Sequence, residues 1–321
     1  QHFEIFRKQI IGIDQEIELS DGSKSAIIYA DWIASGRLYA PIEDHMRKSV
    51  APFVANTHTE STLTGTAMTR AYHDARDAIK KHVNAGSSDS LFLAGFGMTA
   101  AVNKLQRLLG LRVPDSLKGE TEKGNRPMVL ITHMEHHSNQ ITWSECDVDI
   151  RIVPPVEETG LPDLEQLEQM VEKYRGCPLL IGAFTACSNV TGIITPFGEM
   201  AKIVHRGGGY CFVDFAASAP YVDIDMHPAD PDERLDAVMF SPHKFLGGPG
   251  TSGVLVMNNI LYKQGTPDLP GGGTVKWTTP FGTHRYVDDI EAREDGGTPG
   301  FLQAIRIALA IKLKEVMGIR Q

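Results

Sequence analysis

The chain has 321 residues, 42% hydrophobic and 22% charged, with a formal net charge of -9. That length holds one large α/β domain or two ordinary ones, and the composition requires a packed core rather than disorder. An acidic surface excludes nucleic acid and anionic membrane as main partners but leaves room for a local basic pocket, and no apolar run approaches the roughly 20 residues of a membrane-spanning helix.

From about residue 70 to 258, helical patterns alternate with short apolar runs. Thr69–Val83 reads as a helix and Ser90–Ala94 as a buried strand. Thr99–Leu111 is helical, with Val102, Leu105, Leu108 and Leu109 on one side. Met128–Thr132 and Asp149–Val153 are strands. Leu164–Tyr174 is a helix entered through Pro162-Asp163, a capping pair. Leu179–Phe184 is a strand, and Pro196–His205 is a helix with Pro near its start. Tyr210–Asp214, Ala237–Phe240 and Gly253–Met257 are further strands, with Gly207-Gly208-Gly209 as a turn and Gly271-Gly272-Gly273 in a later loop. Continuous apolar strands interleaved with helices imply a three-layer α/β/α fold with a mostly parallel central sheet. Such sheets place ligands beyond the carboxyl ends of their strands.

Four features fall there. Gly95-Phe96-Gly97-Met98-Thr99 ends one strand and opens a helix, where glycines and free N–H groups favour an anion. The same residues also serve a plain strand-to-helix turn, or a nucleotide phosphate. His133-Met134-Glu135-His136-His137 clusters metal-ligand types, but fits neither H-E-x-x-H nor H-x-x-E-H, so no metal is assigned. A ring-stacking or acid–base histidine is the better reading. Asp214 closes an apolar strand, where a carboxylate is costly unless paired. It is either a structural ion pair or the partner of a cationic ligand nitrogen. Lys244, in Ser241-Pro242-His243-Lys244, follows another buried strand and precedes a glycine loop. Desolvation there can lower a lysine pKa and make it a Schiff-base nucleophile. An anion cradle, a stacking group, an acid for a ring nitrogen and an imine-forming lysine together match pyridoxal 5'-phosphate.

Cys146, Cys177, Cys187 and Cys211 include no C-x-x-C pair, so they read as reduced thiols of a cytoplasmic protein. Gln1 is not an initiator Met, and the chain stops after an apolar helical pattern at Phe301, Leu302, Ile305 and Leu309. It therefore reads as lacking a C-terminal domain.

Five segments carry a family resemblance from about Tyr29 onward. They are Tyr29-Ala30-Asp31-Trp32-Ile33-Ala34-Ser35, Ala55-Asn56-Thr57-His58, Glu135-His136-His137-Ser138-Asn139, Ser188-Asn189-Val190-Thr191-Gly192 and Ser241-Pro242-His243-Lys244. With them the chain resembles the class V aminotransferase family, in particular its cysteine desulfurase and selenocysteine lyase branch. The resemblance implies the large domain of the fold type I pyridoxal-phosphate enzymes. It implies Lys244 as the Schiff-base lysine, Asp214 on the pyridinium nitrogen and His136 stacked on the ring. Asn189 is implied near the ring hydroxyl, Thr99, Ser241 and His243 at the phosphate, and Met98 is a further cofactor-binding candidate. Gly297-Thr298-Pro299 resembles a segment that reaches the phosphate of a second subunit, which implies a homodimer with shared sites. The implied organisation is an N-terminal segment 1–60 that contributes to the active site, a large domain 61–298, and a helix 299–321 leading to the absent small domain. Three departures stand out: Ala217 replaces a usual Gln, the glycine loop after Lys244 has an extra Gly, and no cysteine matches the desulfurase nucleophile. The implied activity is on a small amino acid. Carbon–sulfur cleavage is the first choice, transamination or epimerisation the alternative, and a non-catalytic scaffold the reading of another class.

Overall fold

The computed structural model describes residues 2–57, 61–118 and 125–319. His58 of the Ala55–His58 segment lies outside them. Helix α1 (Leu63–His82) starts six residues before the apolar periodicity does, because Thr62 caps it: its hydroxyl oxygen accepts the Gly65 N–H at 3.1 Å. Then follow β1 (Asp89–Ala94), α2 (Gly97–Leu108), β2 (Met128–Thr132), α3 (His137–Ser144), β3 (Asp149–Val153), α4 (Leu164–Tyr174), β4 (Leu180–Thr185), α5 (Phe197–Arg206), β5 (Tyr210–Asp214), β6 (Ala237–Phe240), β7 (Gly253–Asn258) and α6 (Phe301–Met317). The strands agree with the apolar runs to within a residue or two. Helix α3 is an addition, too short and polar to stand out by periodicity.

The seven strands form one sheet in the order β1-β7-β6-β5-β4-β2-β3. β7 runs antiparallel to both neighbours, β1 and β6, and the remaining pairs are parallel. Successive strand residues face opposite layers. Leu91, Leu130, Val213 and Phe240 pack in one core with Ile79 of α1, Val204 of α5 and Ile307 of α6. Phe92, Val129, Phe212 and Met239 pack in the other with Leu105 of α2 and Trp143 of α3. The sheet is thus covered on both faces, which is why its central strands are apolar throughout.

The N-terminal stretch is pinned across the carboxyl edge of this sheet. The Gly36 N–H donates to the His243 carbonyl at 2.9 Å, and the Gly247 N–H donates to the Arg37 carbonyl at 2.7 Å. Gly36 permits the approach, since a Cβ there would stand 2.0 Å from the Phe245 carbonyl oxygen. Arg306 of α6 pairs with Glu43 and ties the stretch to that helix. Among the described residues, no helix is long and apolar enough to cross a membrane.

Candidate active site

β1, β2, β4, β5 and β6 all point their carboxyl ends the same way, and the connections that leave them meet in one cleft of about 560 Å³. Its walls include Met98 and Thr99 after β1, His136 after β2, and Asn189 after β4. Asp214 comes from the end of β5, and Ser241, His243 and Lys244 follow β6. Eight of the nine residues singled out from the sequence therefore share one cavity. The ninth, Thr298, is solvent-exposed and does not line the cleft of its own chain.

Asp214 is buried, and its carboxylate accepts the Ala216 N–H at 2.8 Å. Burial pushes its pKa up to about 6, against the pull of that N–H and of the Lys244 charge. Lys244 closes a single turn, Pro242–Lys244, immediately after β6. Partial burial lowers its pKa, while Asp214 and Asp31 work the other way. A lysine held in this balance gives up its proton more readily than a solvated one and still has an anion to face. Lys244 also borders a second, largely apolar cavity of about 520 Å³ between the N-terminal stretch and the end of α6.

His136 caps α3, and its ring Nδ1 faces the Ser138 N–H at 3.2 Å. A nitrogen that accepts a backbone N–H carries no proton, so the neutral ring has its proton on Nε2. Burial, then Lys244 and His137, lowers the pKa and favours that neutral ring.

The start of α2 and the hydroxyls around it offer donors to an anion. Helix α2 starts without a side-chain cap. Gly97 has φ +64°, and a Cβ there would stand 3.0 Å from the His243 ring. The Met98 N–H donates to the Ser241 Oγ at 2.8 Å, which leaves the Ser241 hydroxyl proton for another acceptor. The Thr99 and Ser138 hydroxyls lie 2.6 Å apart, so one donates to the other and the second proton is available. First-turn N–H groups with hydroxyl donors beside them make an anion cradle.

The family model for class V aminotransferases matches residues 28–321. The chain belongs to that family. The class V aminotransferases depend on pyridoxal phosphate, and this member is similar to relatives that carry desulfurase names. "Probable cysteine desulfurase" of Halalkalibacterium halodurans is 28% identical over 315 residues, covering 96% of this chain and 70% of that protein. The "Cysteine desulfurase" of Haloferax volcanii is 24% identical, covering 93% of this chain and 66% of that protein. The fold matches the apo structure of cysteine desulfurase from Thermococcus onnurineus NA1 with TM-score 0.78 and 24% identity, over 98% of this chain and 71% of that one. The chain thus spans about two thirds of the length of the relatives it matches.

The residues present fit the group this family uses. One carboxylate, one half-buried amine, one flat neutral ring and a helix start flanked by hydroxyls correspond in kind to its ring nitrogen, aldehyde, aromatic face and phosphate. Two departures noted in the sequence also take physical form. Ala217 lines the cleft and offers no hydrogen bond. Cys187 lines it too, but burial pushes its thiol up and it donates to the Ser188 carbonyl at 3.6 Å, a poor setting for a nucleophile.

Other lining residues gain no individual role from the sequence, although residues 31–34 fall in the Tyr29–Ser35 segment of the resemblance. Asp31, Ile33 and Ala34 arrive on the pinned N-terminal stretch, and Thr185 from the end of β4. Just behind the lining lies Glu135, whose pKa burial pushes up to about 7. Its sequence signal is the i, i+4 spacing to Asn139 at the start of α3.

Proposed function

We propose that this protein acts on a small amino acid through pyridoxal phosphate held in the cleft, and that carbon–sulfur bond cleavage of the cysteine desulfurase kind is its reaction. The observation that carries the reading is the convergence of Asp214, Lys244, His136 and the α2 start on one cavity. The desulfurase choice draws support from the names of the relatives.

Lys244 would hold the cofactor covalently and, once displaced, carry protons at the substrate carbon. Asp214 would keep the ring nitrogen protonated. His136 would lie against the ring face, its neutral form suiting a stacking role. Asn189 would stand by the ring hydroxyl. Met98, Thr99, Ser241 and His243 would hold the phosphate. When bound, the cofactor supplies an electron sink for the carbon that bears the substrate amine.

Residues 1–60 would serve the large domain 61–298 as a wall of its active site, which the lining by Asp31, Ile33 and Ala34 supports. Within the segment 299–321, helix α6 (Phe301–Met317) would lead out of that domain. Thr298 would serve the cleft of a second subunit in a homodimer, a role that its exposure away from its own cleft supports. Four free cysteines support a reducing, cytoplasmic setting.

The test is direct. Borohydride treatment of protein incubated with pyridoxal phosphate, followed by peptide mapping, should place the label on Lys244, and a label on another lysine overturns the site. A panel of amino acids given to the full chain should release sulfide from cysteine. Keto acid without sulfide would make it a transaminase, and a racemised product an epimerase.

A further inference from the structure

Glu135 stands one residue before His136 and does not itself line the cleft. Its Oε1 accepts three hydrogen bonds: from the Thr132 N–H at 3.2 Å, from the Thr132 hydroxyl at 2.7 Å and from the Thr185 N–H at 3.0 Å. Its Oε2 accepts the Asn139 amide at 2.7 Å. The neighbours of Asn139 settle the orientation of that amide. The Trp143 indole N–H can only donate, and it takes Oδ1 at 3.0 Å. The Ala183 carbonyl can only accept, and it takes Nδ2 at 3.1 Å. Asn139 must therefore present a donor to Glu135.

Four donors around one carboxylate favour its charged form and hold both of its oxygens in place. Burial and the charge of Asp214 oppose ionisation, and the hydrogen bonds from the Thr132 hydroxyl, Asn139 and Thr185 counter them only in part. The partners come from three elements that carry cleft residues. Thr132 ends β2, Thr185 ends β4, and Asn139 sits in the first turn of α3. That turn also holds Ser138, whose N–H meets the His136 ring.

We propose that Glu135 is a positioning residue of the active site: its carboxylate ties the ends of β2 and β4 to the start of α3, and so fixes where His136 and Thr185 face the cleft. Loss of the tie leaves the cavity in place but lets His136 and the α3 start shift by fractions of an ångström, enough to loosen a ring-stacking contact.

The proposal rests on the pyridoxal phosphate reading for its assay, and the experiment separates the two. Glu135→Gln keeps the shape, but one end of its amide is then a donor facing a donor. Asn139→Ala removes the same contact from the other side. In the full chain, each is expected to fold and to bind pyridoxal phosphate roughly tenfold more weakly, about the size of one charge-assisted hydrogen bond. Each should also change the circular dichroism band of the bound cofactor and lower kcat more than it raises KM. The double variant should be little worse than either single one, because both break one network. Glu135→Asp, which keeps the charge, replaces the Gln variant with the same readouts if that one does not fold. A folded Glu135 variant with wild-type affinity, dichroism and kcat overturns the proposal, as does strict additivity in the double. Wild-type protein without a borohydride label at Lys244 overturns the cofactor reading instead.

Discussion

Replacing Asp214 by Asn should make the cofactor-free protein more stable and the enzyme inactive. Asp214 is buried and its pKa rises from 3.8 to about 6. A carboxyl group whose folded pKa lies above its unfolded one penalises the folded state once it ionises. Below pH 3.8 both states hold the proton and the penalty is absent. It grows between pH 3.8 and about 6 and is complete above that. At about 1.4 kcal/mol per pH unit, the ionised group costs the fold about 3 kcal/mol. Asn has the same shape, can accept the Ala216 N–H with its oxygen, and carries no charge to desolvate. Thermal unfolding of cofactor-free protein between about pH 4 and pH 8 should show D214N and wild type alike at the acid end. At the neutral end the variant should lead by roughly 5–10 °C. Added pyridoxal phosphate should then stabilise the wild type by mass action and the variant much less. A variant less stable than wild type at pH 8, or a gap that does not change with pH, would refute the reasoning.

Gly97→Ala forces a side chain into φ +64° and against the His243 ring, which costs about 1–2 kcal/mol in denaturant unfolding. Its loss of affinity should be larger for pyridoxal phosphate than for pyridoxal, since only the former uses the anion cradle. Ser241→Ala removes the acceptor of the Met98 N–H and costs about 1–2 kcal/mol of stability. It should show the same discrimination between the two ligands by fluorescence titration, and equal losses for both would place Ser241 away from the phosphate.

The sheet was legible because its strands are buried on both faces and therefore apolar without interruption, as in Met128–Thr132 and Ala237–Phe240. The cleft-facing residues were legible because chemistry at the ends of such strands has few structural uses. Asp214 and Lys244 are poor choices for packing alone. Three parts could not be read this way. Helix α3 buries only Asn139 and Trp143 of its eight residues, so it has no apolar stripe to detect. Residues 31–34 were legible only through the resemblance carried by Tyr29–Ser35, because they reach the cleft through hydrogen bonds made by Gly36 and Arg37 to partners more than 200 positions away. Glu135 is held by donors on three elements, and one of them, the Thr185 N–H, lies 50 positions away and leaves no trace in local spacing.

The reversed strand β7 sets the order in which this protein can become competent. β1 and β6 are not neighbours until β7 lies between them, with Ala94 paired to Gly253 and Phe240 to Val254. The hydrogen bond from Met98 to Ser241 spans that gap. The carboxyl end of β1 therefore waits for pairings with a strand more than 150 positions later before Met98 can meet Ser241. Contacts this distant in sequence form late. The cofactor should accordingly leave the early folding rate untouched and act as a lock on the nearly finished molecule, slowing its unfolding instead.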